Sequence, residues 1–459
     1  MQIGIAHSDP IAPVILGVTG ILAFAILGRV GARRLGQPTV VGELLMGIII
    51  GNVGWLLGID LIALLREGPL VFELTHEALS CASLEQAAIN MFGEEVGADL
   101  TRILTGPRGG ELMQVAHSVD TFSRYGVIFM LFMVGLKTNV DELKTVGKDS
   151  ARVAVLGVAV PFVLGIALVW LMRPGLELGA SLFIAATLGA TSIGITANVL
   201  EELDIAKSRE GRIIIGAAVY DDILGLIILA IVSGIVVTGS VAVGEIIKVV
   251  VVSTVFLAAV IALGPRIVKV SASIMRRLDF VEAKMFTSYL FVMILAWMAN
   301  LAGLATIIGA FAAGVVLHDS YFHRSHRRRL GRIITIRQLI MPLEVILVPI
   351  FFILIGMQVK IESFMSVPVA TIALGLLVAA VLGKLACGVG AARPANKLMI
   401  GIGMVPRGEV GLVFAAIGRT LGVIDDSIFA AIVLMVIITS LIAPPWLKYS
   451  VAHSPRTES

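Results

Sequence analysis

Long apolar runs, separated by short charged segments, set the pattern of this chain. An apolar window of about 17–25 residues can cross a bilayer as an α-helix. Thirteen such windows fall near 10–30, 38–58, 121–137, 151–172, 178–202, 212–236, 241–265, 283–300, 303–318, 342–358, 366–391, 396–420 and 426–447. The pattern predicts an all-α polytopic membrane protein with about 13 transmembrane helices. Residues 61–120 stand apart: they are mixed and partly amphipathic, as in 84-LEQAAINMFGEEVGADLTRIL-104, and carry nine acids against three basic residues. This segment is predicted to lie outside, between spans two and three, with one or two short helices. It reads either as a cap or acidic funnel that enriches cations by its local field, or as a solvated insertion without a transport role.

Composition confirms the class. Of 459 residues, 58% are hydrophobic and 15% charged, against roughly 25% charged in a soluble domain. The formal net charge of +3 points to no nucleic-acid partner. Cys81 and Cys387 lie in segments of different character, and no metal-ligand spacing exists. The run 11–27 lacks a charged region and cleavage site before it, so it reads as a retained helix. About 25 of the 35 Lys and Arg fall in alternate loops, including 323-HRSHRRRLGRIITIR-337. That bias puts the N-terminus outside and the C-terminus, with a short tail over 448–459, in the cytoplasm of a cell bounded by a cytoplasmic membrane. Trp55, Trp170, Trp297 and Trp446 fall near span ends and read as interfacial anchors.

The chemistry begins with 216-GAAVYDDILGLIIL-229. Asp221 and Asp222 sit in a spanning window, where burying an ionised carboxylate costs several kcal/mol or more. Adjacent helical residues point about 100° apart, so the two cannot share one proton face to face. Either one looks into an aqueous cavity while the other meets a buried partner, or both are neutralised structurally. Mid-span bases are few. Lys384 is the clearest, and it lies too far from either span end to snorkel; Lys384 and one aspartate are natural mates. Arg407 is the other.

Two windows look broken. The fifth contains 186-ATLGATSIGITANVL-200, with Gly189, Gly194, Thr191, Ser192, Thr196 and Asn198. The twelfth contains Gly401, Gly403, Pro406, Gly408 and Gly411 around Arg407 and Glu409. Proline and clustered glycine free main-chain groups that hydrocarbon cannot satisfy. Interrupted spans at matching places in two halves point to a transporter site. Spans 4–6 and 11–13 have opposite topology, which makes an inverted repeat whose broken helices cross near the midplane. The freed carbonyls there can ligate a small cation. Arg407 and Glu409 either balance the half-helix dipoles or form a local ion pair.

The chain resembles the monovalent cation:proton antiporter superfamily, in its paired-aspartate, NapA-like sodium/proton branch. The pieces that carry the likeness are 38-PTVVGELLMGIIIG-51, 126-GVIFMLFMVGLKTNVDEL-143, 189-GATSIGITANVLEEL-203, 217-AAVYDDILGL-226, 307-IIGAFAAGVVL-317, 349-PIFFILIGM-357 and 403-GMVPRGEVGLV-413. It extends over nearly the whole chain except 61–120, and Tyr220 departs from the pattern. The resemblance implies that Asp222 is the main cation and proton site, that Asp221 pairs with Lys384, and that Thr191 and Ser192 supply polar ligands. It implies charge support of the core by Glu409 and Arg407, no cofactor beyond the transported H+ and Na+, a homodimer in the lipid bilayer, and electrogenic exchange.

The expected organisation is a scaffold and dimer domain from 1–145 and 283–358, a transport core from 151–236 and 366–447, and a linker helix over 241–270. Asp222 would hold either a proton or a monovalent cation, most readily Na+ with Li+ or K+ also suited, while the core moves in elevator fashion against the scaffold. The alternatives are a Kef-type potassium efflux channel or exchanger, an organic-anion symporter, and an intramembrane aspartyl protease. The last lacks a second mid-span aspartate in a Gly-x-Gly-Asp string. His318, His323 and His326 sit in the basic loop, as pH sensors or as part of a topology determinant.

Overall fold

The computed structural model describes residues 9, 11–74, 83–137, 147–206, 208–238, 243–275, 279–322 and 334–453. Expectations placed on Cys81, His323, His326, most of the basic loop, the end of the tail and the side chain of Asn198 lie outside these residues. All regular structure described is helical. The helices in order are α1 (Ala12–Arg34), α2 (Thr39–Leu56), α3 (Asp60–Glu67), α4 (Leu84–Phe92), α5 (Glu94–Thr105) and α6 (Gly109–Lys137). They continue as α7 (Lys148–Met172), α8 (Leu178–Gly189), α9 (Ile193–Glu202), α10 (Arg209–Thr238), α11 (Val243–Ile274) and α12 (Phe280–Leu301). The remainder are α13 (Thr306–Val316), α14 (Ile336–Met357), α15 (Val367–Cys387), α16 (Lys397–Gly403), α17 (Glu409–Thr420) and α18 (Asp426–Ala452).

Among the described residues, ten helices are long and apolar enough to cross a membrane, and α8 and α13 are shorter apolar helices. All thirteen predicted windows fall on helix. The shortfall from thirteen to ten has a local cause: windows five and twelve are each divided in two, and window nine is only the 11 residues of α13. Window three also differs. Its helix, α6, starts at Gly109, well before the predicted 121, because the amphipathic stretch ahead of the apolar run continues the same helix.

The chain forms two compact units. The first comprises Met1–Gly126 and Ile346–Ser366. In it α2 lies against α14 at Gly47 and Gly356, where a Cβ on either residue would overlap the main chain of the other helix. The 61–120 segment corrects the picture of a solvated insertion. Besides α3, α4, α5 and the start of α6 it contains a 3-10 turn, Gly68–Glu73, and it has its own apolar interior. Leu64, Leu65, Leu100, Ile103 and Val119 are buried there together with Ile21 of α1 and Ile353 of α14. Its acids Glu85, Glu94 and Glu95 stay exposed. The period of α5 explains both faces: Gly97, Leu100 and Ile103 recur at helical spacing on one side.

A polar knot ties this segment to the end of α14. The Arg66 guanidinium, only 2% exposed, donates to Asn52 Oδ1 at 2.9 Å and to Glu362, and sits 4.4 Å over the Trp55 ring. Asn52 Nδ2 donates to the carbonyls of Ile48 and Val359, both at 2.8 Å, while its Oδ1 accepts from Ile361 N. Lys360 pairs with Glu67 at 2.7 Å.

The second unit comprises Val127–Val345 and Val367–Ser459. Here α7 packs along α8, α10 and α15. A buried apolar cluster from α7, α9, α10, α15, α16 and α18 includes Val153, Leu200, Ile214, Ala217, Ile400 and Leu447. Within it α6 meets α13 at Gly135 and Gly314, again with main chain against main chain.

Arg66→Met should lower the thermal midpoint in detergent by several degrees, since it removes the buried head of the knot, its ring contact and its charge-assisted bonds. Glu362→Gln should lower it far less, because Glu362 is 47% exposed and its pairing is screened by water. Differential scanning fluorimetry of the two variants checks the order.

Candidate functional site

The second unit contains both broken helices, and they meet at their breaks. The first break runs from the end of α8 at Gly189 through Ala190, which is extended (φ −66°, ψ 137°), to Ile193. Thr191 and Ser192 favour it because their hydroxyls compete with helical main-chain bonding. The second break runs from the end of α16 at Gly403 to Glu409. Pro406 cannot donate a helical hydrogen bond and pushes Val405 out of the helical region. Gly408 then takes φ −150°, ψ −139° and lies so close to Ser192 that an added Cβ would collide with its side chain.

Each break satisfies the other. Ser192 N donates to Pro406 O at 2.9 Å. Thr196 Oγ1 donates to Gly403 O at 2.7 Å and Thr191 Oγ1 to Met404 O at 3.5 Å. In return the Arg407 guanidinium reaches back to Ala190 O at 2.5 Å, and also to Ala380 O of α15 at 3.3 Å. Ser440 of α18 donates to Arg407 O. Arg407 is fully buried and, among the described residues, forms no ion pair. Arg407 sits at the C-terminal carbonyls of the half-helix α8. It does not pair with Glu409, whose Oε2 accepts instead from Ser192 Oγ at 3.2 Å.

Beside the breaks lies the acid pair on α10. Asp221 Oδ1 accepts from Lys384 Nζ of α15 at 2.8 Å, and neither side chain is exposed. Asp221 Oδ2 is buried without a hydrogen-bond partner. Asp222 is 6% exposed and lies within electrostatic reach of Asp221, Glu409 and Lys384. The aspartate that meets the lysine, left open by spacing alone, is therefore Asp221. Lys384 is aimed by its helix: the neighbouring Gly383 receives Pro161 of α7, while Gly157 leaves space for Nζ, which a Cβ there would approach to 3.4 Å. Thr191, Ser192, Asp221, Asp222, Lys384, Arg407 and Glu409 thus belong to one region of one unit. Three residues escaped the sequence reading: Ser440, whose signal was a hydroxyl pair in the apolar run 437-IITSLIAPP-445, and Pro161 and Gly383, which looked like ordinary helix packing. No group of three or more potential metal-ligating His, Cys, Asp or Glu occurs among the described residues.

An all-helical chain with span-length apolar helices, whose two interrupted helices interlock around buried charge, has the build of a polytopic membrane transporter. The sequence profile described as "Sodium/hydrogen exchanger, transmembrane" matches residues 20–452, and the chain belongs to that family, within the monovalent cation:proton antiporter superfamily. It is a transporter and not an enzyme. It is 35% identical over 447 residues to the high-affinity Na+/H+ antiporter NhaS3 of Synechocystis sp., covering 95% of this chain and 90% of that one. It is 31% identical over 428 residues to the Na+/H+-K+ antiporter GerN of Bacillus cereus, covering 91% of each. The fold is similar to that of the sodium proton antiporter MjNhaP1 of Methanocaldococcus jannaschii, with a TM-score of 0.61 at 16% identity over 97% of this chain and 98% of the other.

Lys384→Met should destabilise the protein by about 3–5 kcal/mol, because it strands the Asp221 carboxylate in a dry interior. Adding Asp221→Asn should return much of that loss, since the double variant buries no unpaired charge. Thermal unfolding of the single and double variants measures the coupling.

Proposed function

We propose that the chain exchanges a monovalent cation, Na+ in the first instance, for protons by competition at Asp222. The observation that carries this reading is the buried Asp221–Lys384 pair at 2.8 Å, which leaves Asp222 as the carboxylate of α10 without a lysine of its own.

Asp221 holds Lys384 while the cation is absent. The cation's arrival loosens that pair and lets Lys384 release a proton, so two protons move per cation and exchange is electrogenic. Thr191 and Ser192 add oxygen ligands, with Arg407 and Glu409 holding the charge of the core. Spans 4–6 and 11–13 form an inverted repeat that shifts, elevator-like, against a scaffold and dimer domain from 1–145 and 283–358, with 241–270 as the link. The protein works as a homodimer in the cytoplasmic membrane, N-terminus out and C-terminus in. Potassium is a second candidate cation, favoured by the 31% identity to a relative named as a Na+/H+-K+ antiporter.

In proteoliposomes, Asp222→Asn should abolish exchange with a thermal midpoint within a few degrees of the parent. Exchange with Na+, Li+ and K+ in turn, with and without an imposed voltage, tests the rest. Full exchange by the Asp222→Asn variant would end the competition scheme, and voltage-independent rates would end the two-proton stoichiometry.

A further inference from the structure

Main-chain carbonyls at broken helices are the expected ligands for a small cation, but five of them here already accept a hydrogen bond. Ala190 O accepts from Arg407, Gly403 O from Thr196, Met404 O from Thr191, Pro406 O from Ser192 N, and Arg407 O from Ser440. A cation that used them would have to compete with a donor already in place. The oxygens left at lower cost are on side chains.

Beside Asp222, Glu409 is the second carboxylate of the site that forms no ion pair among the described residues. Its hydrogen bond comes from a neutral hydroxyl, Ser192 Oγ, at 3.2 Å. Arg407, two residues earlier, is committed to Ala190 O and Ala380 O. Glu409 is the first residue of α17, at the unpaired N–H groups of that helix. It is half-buried, while Asp221 and Lys384 are fully buried and Asp222 nearly so. Ser192, itself 3% exposed, offers its hydroxyl oxygen at the same point. A carboxylate beside a hydroxyl, half-buried and within electrostatic reach of Asp222, suits a monovalent cation.

We infer that Glu409 and the Ser192 hydroxyl directly ligate the transported cation, as the half-buried station from which it passes to Asp222. Glu409 is then a binding residue that sets cation affinity, rather than a fixed charge that only supports the breaks. The inference rests on the exchange reading above.

The test is Na+-dependent exchange in proteoliposomes. Glu409→Gln should raise the half-saturating Na+ concentration about tenfold with a maximal rate within about twofold of the parent, the signature of lost cation binding. Glu409→Asp should fall between them. Stabilisation of the detergent-solubilised protein by Na+ alone should shift to the same higher concentration, a readout that needs no transport. If Glu409 only held the breaks together, Glu409→Gln would lower the maximal rate and the Na+-free midpoint and leave half-saturation unchanged; that result overturns the inference. Should Glu409→Gln not fold, Glu409→Asp decides, with a half-saturation raised about threefold in support and an unchanged one against. Asp222→Asn separates the two ideas. An active Asp222→Asn variant removes the underlying reading, whereas an inactive one beside an unchanged Glu409→Gln half-saturation overturns this inference alone.

Discussion

Main-chain polar groups left bare in hydrocarbon cost several kcal/mol each, and the second unit is arranged around that constraint. Two helices stop inside the membrane, and each supplies what the other lacks. Ser192 N meets Pro406 O, Thr196 meets Gly403 O, and Arg407 returns the favour at Ala190 O. Neither interruption is stable by itself. The surrounding helices follow from this: α15 presents Ala380 O and α18 presents Ser440 because the crossing needs a fourth and fifth side.

The same crossing sorts the charges. The hydrogen bonds of Arg407 go to carbonyls, and it forms no ion pair among the described residues. Lys384 is used up by Asp221. Asp222 and Glu409 are left, one nearly buried and one half-buried, and neither forms an ion pair among the described residues.

The helical plan was open to reading because apolar length is a local property, and Pro406 and the glycines marked the second break residue by residue. The limits were geometric. A 100° step between Asp221 and Asp222 leaves either free to meet a lysine until the rotation of α10 is known. The direction of Arg407 depends on the extended backbone at Gly408, which no periodicity encodes. The early start of α6 was masked because its first turns are polar on one side. The knot at Arg66 joins residues 296 apart in the chain, and nothing near Arg66 announces Glu362. Acidic residues dominated the reading of 61–120, while its buried leucines, at helical spacing, carried the information that it packs.

The seat of Pro161 against Gly383 has a mechanical meaning for the neighbouring lysine. A rigid ring set into a notch works like a key in a shaft: α15 cannot spin about its long axis without lifting off α7. Lys384 is thereby kept on a fixed heading toward Asp221.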